Sequence, residues 1–285
     1  MAARTRLLLS VMSGAGLVAA LAAAPAAAAP IGVAPEQPTH SAAAYKAAHD
    51  NDPHVPLSAA ARSGLQRRTE AAQRTMARVR AEAARPGATA ASTAKSLKGT
   101  QQAQQTYYWC GPAAVSGALK VRGVSLSQSS TAKLLRTTVD GTDWSGRNAA
   151  VPKAYQTGYP VADVLTYKLH GQGATYYPVG LSYDPTSKEK STYQTRLVAD
   201  INNGWDLIGD AWEVPGGPHL VGHPGNQEVF HYYTMRGYSG SGKYTRYQDS
   251  VHGAGSISWS SGVPAYSTMS SATITTINGG RGYVW

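Results

Sequence analysis

The stretch QAQQTYYWCGPAAVSGAL, Gln102–Leu119, holds the only cysteine of the 285-residue chain, Cys110. Three aromatics, Tyr107, Tyr108 and Trp109, precede it, and Gly111-Pro112 follows. Ala114, Val115, Ala118 and Leu119 then recur along one side of a helical pattern that Gly123 stops, with Pro112 in the first turn where proline is tolerated. A lone cysteine is often a small buried hydrophobe. At a helix start, however, the sulfur sits at the positive end of the dipole, which favours the thiolate, the nucleophilic form. A nucleophile also needs a base and a residue to orient that base, and both must come from elsewhere in the chain.

Downstream of this helix, Ser125 and Gln128 have capping-box spacing ahead of SSTAKLLRTT, predicting a second helix. Ser191 and Gln194 repeat the signature, with Tyr193, Leu197 and Ile201 four apart and Asn203-Gly204 as the end. The period then changes to two. WDLIGDAWEV, VFHYYTMRGYS and KYTRYQDS read as strands separated by Gly, Pro and Ser clusters. Helices first and antiparallel strands later give an α+β class, with N-terminal helices packed on an antiparallel sheet.

Upstream, MAARTRLLLSVMSGAGLVAALAAAPAAAAP has the charged, apolar and small-residue regions of a secretory signal peptide, assigned to residues 1–29. The expectation is an exported, extracellular protein with no membrane anchor after cleavage. One cysteine allows no internal disulfide, so the thiol is buried, paired with another molecule or reactive. All six Trp, the single Phe and 16 of the 17 Tyr lie after residue 100. Residues 30–98 therefore read as an Ala- and Arg-rich accessory segment, a propeptide or a linker, with one helix from Ser58 to Pro86-Gly87 and too few large apolar residues for a strong docking face. Residues 99–285 are left as one domain. The net charge of +10 is concentrated in the leader half, since residues 1–100 hold 12 Lys+Arg against 5 Asp+Glu and the rest 14 against 11. That distribution argues against a nucleic-acid partner. A monomer without cofactor or metal, acting on a peptide or protein, is expected.

Eight histidines compete for the role of base. His40, His49 and His54 belong to the accessory segment and His170 to a loop. His219 and His223 have the four-residue spacing of a zinc pair, but their Gly- and Pro-rich stretch reads as a mobile loop rather than the helix such a pair needs. His231 opens the strand pattern HYYTMRGYSGSGKYTRYQD. A turn centred at Gly240 sets it opposite Asp249, where the two could hydrogen-bond and fix the imidazole tautomer. A register one residue off would make them diagonal or opposite-faced instead.

Taken together, the upstream Gln, the aromatic-Cys-Gly-Pro-Ala helix start, HYYTMRGY and YQDS resemble the papain-like cysteine peptidases of family 39, the bacteriocin-processing or double-glycine type. The match is closest to their free-standing, secreted bacterial relatives and covers roughly residues 100–275. The resemblance implies Cys110 as nucleophile, His231 as general base and acid, and Asp249 as its orienter. It also implies an oxyanion donor at Gln104, with Gln105 and Gln101 as neighbours to which a local insertion would shift the role. Tyr107, Tyr108 and Trp109 would wall the site, Tyr108 and Trp109 as substrate-binding residues. Alternatives on the same residues are acyl transfer of the transglutaminase type, a cell-wall amidase, or a catalytically silent domain that binds cell wall or protein.

Overall fold

The structure is a computed structural model that describes residues 41–89 and 93–285. The signal peptide assigned to residues 1–29 lies outside the described residues. Helices α1 (Ala42–His49) and α2 (Ala59–Ala83) come first. A short strand β1 (Lys95–Ser96) leads to α3 (Cys110–Val121), α4 (Gln128–Leu135) and α5 (Pro160–Leu169). Strand β2 (Pro178–Gly180), α6 (Ser187–Asn203), β3 (Leu207–Glu213), β4 (Val229–Ser239) and β5 (Tyr244–Gln248) follow, then β6 (Tyr266–Ser270), α7 (Ser271–Ile277) and β7 (Gly282–Val284).

The strands form one antiparallel sheet in the order β2-β7-β3-β4-β5-β6, with β1 also pairing with β4. Its two faces are covered by different helices. Tyr233, Met235 and Tyr247 belong to a core shared with α2, α6 and α7, whereas Ile208 and Tyr232 pack with α3, α4 and α5. Thr234 Oγ1 donates to the Ala114 carbonyl, fixing α3 against β4. The α+β arrangement read from the change of period is the one observed.

Helix boundaries differ from expectation where a better cap lies nearby. Helix α4 is capped by Ser127, whose hydroxyl accepts from the Ser130 N–H, rather than by Ser125. Helix α6 starts five residues early because Thr186 and Glu189 form a reciprocal capping box, which outcompetes the Ser191 and Gln194 pair. It ends at Gly204 in the left-handed region, as expected.

The accessory segment differs most from its sequence reading. Helix α2 begins after Ser58, yet its Ala72, Met76 and Val79, spaced four and three apart, are buried in the core beside α6. The docking face is narrow, with Met76 and Val79 as its only large buried side chains, so it is weak as a hydrophobic signal yet buried in three dimensions. Arg68 adds an ion pair to the buried Asp200 at 2.7 Å. Ahead of it, Lys46 is buried and donates to the carbonyls of Thr276, Ile277 and Gly279 at 3.4, 3.1 and 2.9 Å, capping the negative end of α7. Arg281 pairs with Asp50 at 2.9 Å and Asp52 at 3.3 Å. Gly146 takes φ 97°, and a Cβ there would lie 2.5 Å from Pro53, so the extended chain after α1 is seated on glycine. Residues 41–89 are thus packed into the same unit as the rest.

One buried acid makes stability pH-dependent. Both carboxylate oxygens of Asp206, between α6 and β3, are buried without a hydrogen-bond partner. Burial pushes its pKa from the ordinary 3.8 up to about 7, against the opposing charges of Arg236 and Arg122. The folded state therefore holds this proton more tightly than the unfolded chain. That contribution is complete below pH 3.8 and is lost as pH rises through about 7. Asp206→Asn is expected to gain roughly 2–4 kcal/mol relative to the parent between acid and mildly alkaline pH. Urea melts at both ends of that range check it; an equal difference at both would refute the assignment.

Candidate active site

Cys110 is the first residue of α3, and its backbone N–H has no intrahelical acceptor. The approach of the neighbouring loop to this helix end depends on Gly111. A Cβ there would lie 2.4 Å from Thr142 Oγ1, so only glycine lets the turn around Thr138 and Gly141 close over the helix. The sulfur opens into a cavity of about 810 Å³ lined by Tyr107, Tyr108, Trp144, Asp210 and Phe230 among others. Tyr108 is thus brought to the cavity. Trp109 is not among its lining residues and packs edge-on to Tyr108 at 6.2 Å.

His231 lies on β4 and is buried. Its Nε2 is 2.9 Å from Asp249 Oδ1, and Cys110 lies close enough to the same ring to favour its protonated form. Burial alone would lower the imidazole pKa, but the Asp249 charge and hydrogen bond, with Cys110 adding to them, hold it well above 6.5. Asp249 shows the converse. Burial pushes its carboxyl up, and the charge of His231 with hydrogen bonds from His223 and His231 outweighs this, leaving it far below the usual carboxylate range. Val251 N–H also donates to Oδ1 at 2.9 Å.

The contact between His231 and Asp249 arises by a register other than the one expected. Thr234 pairs with Gln248 and Met235 with Tyr247, then a bulge shifts the ladder to Gly237 opposite Arg246. Continued by one residue, this puts Asp249 beside Tyr233, two positions from His231 on the same face, a diagonal neighbour still within reach of a carboxylate and an imidazole. The His231 and Tyr233 rings stack with an interplanar angle of 10°.

Gln104 is buried close by, but its amide is occupied. Nε2 donates to the carbonyls of Thr106 and Tyr107 at 2.9 and 3.0 Å, and Oε1 accepts from Ser250 Oγ at 3.0 Å. Gln101 donates to the carbonyls of Asp249 and His252, and the Gln105 backbone is tied to Gln128. None of the three glutamines lines the cavity.

The loop expected to be mobile supplies a member of the site that the sequence reading passed over. His223 is buried, with Nδ1 2.8 Å from Glu213 Oε2 and Nε2 3.0 Å from Asp249 Oδ2. His219 points elsewhere, its ring meeting the carbonyls of Gly217 and Gln227, so the suspected pair does not converge. The loop is pinned by Leu220 N–H to Glu213 at 2.7 Å and Val221 N–H to Tyr247 Oη at 3.0 Å. Glu213 closes β3, and nothing in its local sequence marks it as a partner of a histidine ten residues on.

A helix that begins at a cysteine, set against an antiparallel sheet that presents a histidine to it, defines the papain-like α+β fold. The chain belongs to the Peptidase_C39 like family, whose model matches residues 96–273. That membership supports cysteine peptidase chemistry as the general activity. No curated protein matches the sequence. Helices α1 and α2 and strand β7 lie outside the matched region, although Met76, Tyr283 and Trp285 belong to the same core. No helix among the described residues is long and apolar enough to cross a membrane.

Proposed function

We propose that this protein is a secreted cysteine peptidase that cleaves a peptide or peptide-like amide bond through Cys110, His231 and Asp249. The observation that supports it most is the His231–Asp249 hydrogen bond with Cys110 beside the same ring, the cysteine standing at a helix N-terminus in a peptide-sized cavity. The Cys110 thiolate attacks the carbonyl carbon, and the carbonyl electron pair moves to oxygen. The intermediate collapses as the C–N bond breaks, and the leaving amine takes its proton from His231. Water, deprotonated by His231, then attacks the thioester, releasing the acid and restoring the thiolate. Tyr108 and its neighbour Tyr107 supply the aromatic wall on which the substrate chain rests.

The oxyanion forms beside the Cys110 N–H, one of its two donors. By the family resemblance the second is the side-chain amide of Gln104, which must leave the Thr106 and Tyr107 carbonyls to reach the oxyanion. Gln104→Ala is expected to lower kcat about a hundredfold with little change in KM. A variant with a lowered Tm but normal kcat would make Gln104 a brace of the turn before Cys110 and nothing more. The activity itself is tested by incubating the full chain with a proteome-derived peptide mixture and sequencing new termini by mass spectrometry. Termini that appear with the parent and not with Cys110→Ala support hydrolysis; an unchanged mixture refutes it.

A further inference from the structure

Both ring nitrogens of His223 face carboxylates, Glu213 at 2.8 Å and Asp249 at 3.0 Å. An ionised carboxylate only accepts, so both contacts are satisfied only when both nitrogens carry a proton. A neutral ring would set a nitrogen lone pair against a buried anion. The side chains of Glu213 and His223 are fully inaccessible and that of Asp249 nearly so, which leaves no water to relieve such a mismatch. From Glu213 through His223 and Asp249 to His231, the buried chain thus alternates in charge, and it ends at Cys110.

We propose that His223, held as an imidazolium between Glu213 and Asp249, is a positioning residue for the His231–Cys110 pair and sets the pH at which His231 gives up its proton. This rests on the reading of Cys110 as the nucleophile. By occupying Asp249 Oδ2, His223 leaves Oδ1 directed at His231 Nε2 and prevents the carboxylate from rotating away. Its positive charge also repels that of His231, since the two ring centroids are 5.2 Å apart. The groups facing the pair are few. His223 meets Glu213 from β3, Asp249 after β5 and the uncharged Trp259 ring at 4.8 Å. Around His231 are Asp249, Cys110 from α3, the Tyr233 ring and, at longer range, Asp210 from β3. The hydrogen bonds to Asp249 and Glu213 outweigh the burial that opposes protonation, and the His223 pKa is raised above 6.5.

Glu213→Gln separates position from charge. The amide can still accept from Leu220, but its NH₂ must donate to Nδ1, so His223 becomes neutral while keeping its place. The experiment follows the rate at which iodoacetamide alkylates Cys110 in the full chain across pH, for the parent, Glu213→Gln and the uncharged double variant Glu213→Gln/His223→Gln. Both variants remove the Glu213 anion together with the His223 cation, and because the cation is the nearer to His231 the alkaline inflection, where His231 deprotonates, is expected to move up, by at most about one pH unit. A purely structural role would lower Tm without moving the inflection, and superimposed profiles overturn the proposal. Fast labelling of the parent with an unmoved variant removes the role of His223 alone; a parent that labels no faster than a free thiol removes the nucleophile and this proposal together. Independently of variant folding, nitrogen-15 spectra of histidine-labelled parent at neutral pH should show His223 doubly protonated. A neutral tautomer there overturns the proposal.

Discussion

Cys110→Ala is expected to lose at least about a thousandfold in turnover while keeping the parent's fold. The substitution removes one sulfur from a helix end packed among Ala113, Ala114 and Trp144, where alanine is already the common residue. His231 keeps its hydrogen bond to Asp249, which holds the ring in place. The matching result in the intact chain is rapid iodoacetamide labelling of Cys110 near neutral pH, faster than that of an unassisted thiol. That rate should fall sharply in His231→Ala, which removes the imidazole proposed to pair with Cys110. Melting curves recorded in parallel separate lost chemistry from lost structure. Labelling at the free-thiol rate in both proteins would leave Cys110 as a buried hydrophobe.

Removal of residues 41–89 is expected to destabilise the protein severely. Burying Met76 and Val79 alone contributes roughly 3–6 kcal/mol, a large part of the 5–15 kcal/mol typical of a domain. The truncation also strips the Lys46 cap from α7 and leaves Arg281 and Asp200 without Asp50, Asp52 and Arg68. Buried groups deprived of their partners add their own cost. His49, Asn51 and Asp52 line the same cavity as Cys110, so activity should fall with stability. We propose on this basis that the segment is a working part of the enzyme rather than a removable cover or a linker. A chain starting at residue 93 that melts and turns over like the parent would restore the linker reading. One that melts alike but turns over faster would restore the propeptide.

The β4–β5 hairpin illustrates how a local pattern can locate a contact without its register. The Gly-Ser cluster marks the turn, and β5 begins at Tyr244 after Gly240–Gly242. The bulge between Met235 and Gly237 comes from neither alternation nor turn chemistry. Parity survives, because a shift of two keeps His231 and Asp249 on one face. Helix α5 escaped the sequence reading because its start has no side-chain cap, only Pro160 in the first turn.

By itself the sequence determined the α+β class, the helix that begins at Cys110, the strand that begins near His231 and the acid that follows β5, since each depends on periodicity or on residues a few positions apart. Tertiary structure alone decided the rest. The burial of α2 rests on a narrow face, chiefly Ala72, Met76 and Val79, that has no strong hydrophobic signature. The carbonyls that occupy Gln104 belong to a turn whose geometry no spacing rule fixes. His223 joins the site because a pinned loop returns it to Asp249, and burial between two carboxylates, rather than any motif, gives it a charge to hold.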